Sequence, residues 1–165
     1  MSRGSFIYDV MEDITTGLQN VQVSEPIPLV VDALNYLSEY FYPRGTQKMD
    51  PFRAIKIMQH RVVEFVKSAR KAHYEPVFVI DSGWKSDENN KKWMKRREKE
   101  VRDESRFHPL NADDMLALAI IDTGCVVHAI NGVDADDVVV KLAEKLGPRS
   151  LILSGDRDMF RYVFL

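Results

Sequence analysis

The chain has 165 residues and a hydrophobic content of 45%, enough to supply the buried core of one compact domain and too high for a wholly disordered chain. Lys plus Arg total 23 against 25 for Asp plus Glu, so overall charge alone does not mark a polyanion-binding protein. A single cysteine, Cys125, excludes an internal disulfide and fits a reducing, intracellular compartment, with cytoplasm and nucleus not distinguished.

Residues 1–26 precede the first predicted strand and form an N-terminal extension with a possible helix around Tyr8 to Leu18. Asp9, Glu12 and Asp13 interrupt the only apolar candidate for a secretory leader. No apolar run approaches the roughly 20 residues of a membrane span, so a soluble protein with no membrane partner is expected. Ile27 to Val31 is short, apolar and mostly β-branched, as expected of a strand buried on both faces of a parallel sheet. Val77 to Ile80 and Leu151 to Leu153 read the same way, and Cys125 to Ile130 is similar but carries His128.

Helices are expected between these strands. Asp50 is a good N-cap with Pro51 at the first helical position, and Ile55, Met58, Val62, Phe65, Val66 and Ala69 form a helical stripe. Asn111 introduces a second apolar helix through Met115, Leu116 and Ile120, ending near Gly124. Asp134 to Leu146 is a third, closed by Gly147 and Pro148. This alternation predicts one domain of three layers, α/β/α, around a mainly parallel sheet with right-handed crossovers. Cys125 is read as a core residue of that sheet.

The segment from Trp84 to Arg106 fits no layer. It is poor in core residues and rich in cations, densest at Lys91, Lys92, Lys95, Arg96, Arg97 and Lys99, and reads as a solvent-facing helix or arch.

Every predicted strand delivers a carboxylate to one edge of the sheet. The first ends in Asp32 and the second in Asp81; the third leads into Asp134, Asp136 and Asp137, and the fourth into Asp156 and Asp158. Ligand sites in open α/β sheets form outside the carboxyl ends of the strands. An Asp in that position also caps the next helix in many proteins, and Asp134 alone fits such a cap. A cluster drawn from four strands is different, because the charges repel unless a cation neutralises them or their pKa values rise. With no His or Cys among them, the all-oxygen set favours Mg²⁺ or Mn²⁺ over Zn²⁺. Two such ions could activate a water and stabilise the leaving oxygen in phosphodiester cleavage.

The segment Gly132-Val133-Asp134-Ala135-Asp136-Asp137-Val138 resembles the G-x-E-A-D-D-V stretch of polymerase I type 5′ nucleases, and Ser154-Gly155-Asp156-Arg157-Asp158-Met159 resembles their T-G-D-K-D-M segment. Val30-Val31-Asp32 and Val77 to Asp81 are similar to the first two metal-binding blocks. The chain from Ile27 onward thus resembles the PIN-like fold of the flap endonuclease and polymerase I 5′-nuclease superfamily.

The resemblance implies a metal-dependent nuclease for DNA or RNA, with single-stranded or branched, flap-like substrate. Asp32, Asp81, Asp136 and Asp158 would be its catalytic core, and Asp134, Asp137 and Asp156 would complete a site for two Mg²⁺ or Mn²⁺ ions. Lys92-Trp93-Met94-Lys95-Arg96-Arg97-Glu98 resembles the family's arch helix, which implies phosphate contacts from Lys92, Lys95, Arg96 and Arg97 and stacking of a base on Trp93. A solvated helix with Glu98, Glu100, Asp103 and Glu104 paired to the cations remains the alternative.

Three departures from the family stand out. Asp134 replaces a Glu, Ala33 replaces a Gly, and the sequence closes at Leu165 where family members continue into a helical DNA-binding element. The Ala33 change is minor, but the other two leave a second reading open, a nuclease-fold module that binds RNA or protein partners, through the N-terminal extension or the apolar C-terminus, without turnover. A response-regulator receiver fits less well, because Arg149 precedes the fourth strand where a receiver needs a Lys after it. His60, His73, His108 and His128 show no ligand spacing.

Overall fold

The structure is a computed structural model that describes residues 25–36, 40–41, 50–81, 112–130, 133–156, 159 and, within the basic segment, 91, 94, 95, 98, 99 and 102. The expected N-terminal helix around Tyr8 to Leu18 lies outside these residues.

Four strands, β1 (Ile27–Asp32), β2 (Tyr74–Asp81), β3 (Val126–Ile130) and β4 (Leu151–Leu153), form one sheet in the order β3-β2-β1-β4. Every neighbouring pair is parallel. Helix α1 (Ala33–Tyr36) follows β1 without a loop, and α2 (Pro51–Lys71) crosses from β1 to β2. Helix α3 (Ala112–Ile121) precedes β3, and α4 (Ala135–Leu146) connects β3 to β4.

The strand order dictates the layers. From β1 to β2 to β3 the chain steps one way across the sheet, and from β3 to β4 it steps back past β2 and β1. Crossovers of one hand require that a reversed step run over the opposite face. Accordingly, Leu29, Val31, Phe78 and Ile80 pack with Met58, Val62 and Val66 of α2 and Leu116 and Ile120 of α3. Val30 and Val79, on the other face, pack with Val139 and Ala143 of α4 and with Met159. The three-layer arrangement expected from the alternation of elements is therefore present.

Local chemistry sets the helix limits. The Asp50 carboxylate accepts the Arg53 N–H at 3.1 Å, and Pro51 opens α2 where no intrahelical N–H bond is needed. Ala54, Met58, Val62, Phe65, Val66 and Ala69 are its buried stripe, with Ile55 half-buried. Tyr40, Phe41, Phe65 and Phe78 extend this core in edge-to-face contacts, with centroids of the Phe41–Phe65 pair 5.7 Å apart. Gly147 closes α4 at φ 107°, a conformation that L side chains rarely adopt. Cys125 is buried in the α2/α3 core, as its apolar flanks predict.

One expectation fails at the sheet edges. Leu151 and Ile152 were grouped with strands buried on both faces, yet they are 39% and 37% exposed, and Val126 of β3 is 54% exposed. Among the described residues β3 and β4 each have a single neighbour in the order, whereas β1 and β2 each have two and are covered from both sides.

Candidate functional site

The point where strand order reverses lies between β1 and β4, and the carboxyl ends of those strands frame a crevice. Asp32 stands at its centre. Because β1 passes directly into α1, Asp32 serves as the helix cap, and its Oδ1 accepts the Asn35 N–H at 3.3 Å. From across the crevice the Ser154 hydroxyl donates to Asp32 Oδ2 at 3.1 Å, and Ser154 Oγ accepts the Asp156 N–H at 3.2 Å. A single relay thus joins the end of β1 to the loop after β4.

Asp32 is only 8% exposed. Burial pushes its carboxyl pKa up, the hydrogen bonds from Asn35 and Ser154 pull it down, and the charges of Asp156 and Asp81 push it up again, with a net rise. Its environment disfavours the anion. Each carboxylate oxygen accepts one hydrogen bond and keeps a lone pair for another partner.

Strand register explains why Asp81 and Asp156 are the carboxylates that act on Asp32. Asp32 pairs with Val79, so Asp81 lies two residues farther along β2, about 6.6 Å at the rise of a parallel strand. Val31 pairs with Leu153, which puts Ser154 opposite Asp32 and Asp156 two residues beyond it. Asp81 and Asp156 therefore lie on the two sides of Asp32, Asp81 one pleat ahead on β2 and Asp156 in the loop after β4. Asp32 and Asp81 also share the face of Val30 and Val79, under α4.

The third carboxylate group sits on α4. Asp134 is exposed and caps that helix, its Oδ1 accepting the Asp136 N–H at 3.3 Å, which is the capping role its position suggested. Asp136 and Asp137 are half-buried in the first turn. Asp136 shares the helical stripe of Val139, Val140 and Ala143, so it lies on the sheet side of α4. Ile130, the end of β3, pairs with Asp81, which places the start of α4 on the far side of Asp81 from Asp32. Asp158 lies outside the described residues.

This donor set suits a hard divalent cation, since it offers only oxygen and burial disfavours the anion of its central member, which a positive charge would favour. Among the described residues, however, no three His, Cys, Asp or Glu side chains stand close enough to hold one ion. Asp158 does not enter that statement, and the Asp32, Asp81 and Asp156 carboxylates are near enough to repel but not gathered.

In the basic segment, Lys91, Met94, Lys95, Glu98, Lys99 and Arg102 are helical and exposed. A spacing of three to four residues groups Lys95 with Lys91, Lys99 and Arg102, with Glu98 among them. Lys92, Trp93, Arg96 and Arg97 lie outside the described residues. An open concavity of about 450 Å³ lies elsewhere, lined by Val140, Glu144, Gly147, Pro148 and Ile152 at the opposite end of β4 from the carboxylates. Among the described residues no helix is long and apolar enough to cross a membrane. The chain matches no protein-family model and no curated protein.

Two residues of the crevice had no role assigned from sequence, Ser154 and Asn35. Ser154 belongs to the Ser154–Met159 motif, whose sequence does not reveal the partner of its hydroxyl. Asn35 carried no signal, because its side chain meets Gly155, 120 positions away in the chain.

Proposed function

We propose that the chain is the core of a divalent-metal-dependent phosphodiesterase acting on single-stranded or branched nucleic acid, a PIN-like nuclease. The observation that carries this reading is the burial of Asp32 at the switch point with Asp81 and Asp156 on either side. Asp32, Asp81, Asp136 and Asp158 form the proposed core of the site, with Asp134, Asp137 and Asp156 beside it. Two Mg²⁺ or Mn²⁺ ions held there would supply an activated water and stabilisation of the departing oxygen.

The chain's own residues then position and attract. Ser154 and Asn35 hold the Asp32 carboxylate in one orientation, and the stripe of Lys91, Lys95, Lys99 and Arg102 offers cations to a phosphate backbone. Lys92, Arg96, Arg97 and Trp93 are proposed to contribute to the same surface. Asp81→Asn is expected to abolish Mg²⁺- or Mn²⁺-dependent cleavage of flap and single-stranded DNA and RNA oligonucleotides, with circular dichroism and oligonucleotide affinity unchanged. Cleavage by that variant at the unsubstituted rate would refute the assignment.

A specific observation favours a second reading. Asp134 and Asp32 each spend an oxygen on capping a helix, and the described carboxylates do not converge on one point. A nuclease-fold module that binds nucleic acid or protein without turnover accounts for that. It predicts oligonucleotide binding that is indifferent to chelators and no cleavage at millimolar Mn²⁺.

A further inference from the structure

The Asn35 side chain spans the crevice independently of Asp32. Its Oδ1 accepts the Gly155 N–H at 2.6 Å, shorter than the bonds of 3.1 to 3.3 Å that join Asp32, Asn35, Ser154 and Asp156. Gly155 is a glycine for a reason unlike that at Gly124 and Gly147. Those two adopt positive φ, whereas Gly155 does not. What Gly155 requires is space, because a Cβ there would fall 2.7 Å from Asn35 Oδ1. The missing side chain lets the backbone approach the amide. The next residue along is Asp156, and Asn35 itself is held by Asp32 through its backbone N–H.

We infer that Asn35 is a positioning residue, whose amide oxygen clamps the Gly155 backbone and so fixes where Asp156 stands against Asp32. The inference deepens the proposed function and rests on it for its metal-binding consequence. A neutral amide suits the place, since a carboxylate there would accept the same N–H but bring one more negative charge beside Asp32 and Asp156.

The test is solvent exchange of backbone amides by NMR together with Mn²⁺ titration on the whole chain. In Asn35→Ala the Gly155 amide is expected to exchange faster, and so is that of Asp156, although the partner of the latter, Ser154 Oγ, is untouched. Mn²⁺ affinity should fall about tenfold, as is usual when a group that orients a ligand is removed. Gly155→Ala, which displaces the amide from the other side, should reproduce both effects, and Asn35→Asp, which keeps the acceptor oxygen, should restore slow exchange. Faster exchange confined to Gly155, with Asp156 and Mn²⁺ affinity unchanged, would overturn the inference. If the unsubstituted chain binds no Mn²⁺, the nuclease reading fails, and exchange at Asp156 still decides whether Asn35 positions it.

Discussion

Asp32 is held in a way that works against the stability of the metal-free protein. Its pKa is raised on folding, chiefly by burial. A carboxyl whose folded pKa lies above its unfolded value contributes its full stability below the unfolded value and loses it as pH rises through the folded one. At neutral pH the fold therefore carries the cost of a desolvated anion. Asp32→Asn, which keeps an oxygen for the Asn35 N–H, is expected to raise the Tm of the metal-free protein at pH 7 to 8. The gain should shrink toward pH 4, with each kcal/mol worth about 2–4 °C in a chain of this size. Thermal melts across that range check the prediction, and equal Tm values at pH 8 would contradict it. A divalent ion should reverse the order of the two proteins by stabilising only the one that retains the carboxylate.

At the scale of elements, the helix boundaries are where local chemistry decides. The Asp50 cap of α2 is exposed and makes a single bond to Arg53, so Asp50→Ala should lower stability by about 1 kcal/mol in urea unfolding without altering the crevice. That cap and the Pro51 that follows were legible because both depend on residues a few positions apart. The buried stripe of α2 was legible for the same reason. Edge position was not, since Leu151-Ile152-Leu153 has the apolar character of Val30-Val31 and only the strand order distinguishes a rim from a centre. The carboxylates could be assigned to one edge of the sheet because Asp32 and Asp81 directly end apolar runs and Asp134 and Asp156 follow such runs within four residues. Which of them meet could not be read. That Asp81 and Asp156, and not Asp134, press on Asp32 depends on strand register, and the Asn35–Gly155 contact depends on β1 and β4 being neighbours.

Across the whole molecule, acidic strand ends and a basic helical face divide the two signs of charge although the sums nearly cancel. On the proposed function, binding of a single-stranded oligonucleotide should therefore weaken steeply with salt. Removing one contacting cation, as in Lys95→Ala, should reduce the slope of log K against log[salt] by about 0.7. A slope unchanged in that variant would take Lys95 out of the interface.

The two faces of the sheet are unequal in another respect. Among the described residues, α2 and α3 rest on the larger of two buried clusters, whereas α4 packs Val139 and Ala143, with Val138, Val140 and Leu142 beside them, against Val30, Val79, Ile130 and Met159. That thinner side carries Asp134 and Asp136 at one end of the helix, and Met159, three residues past Asp156, lies beneath it. α4 is thus a latch as well as a layer: a brief local opening would scatter the acidic row from both ends while the α2 side stayed folded. On the proposed function, the side with the smaller described cluster would open first, and Mn²⁺-dependent cleavage is expected to be lost on warming before the global melt.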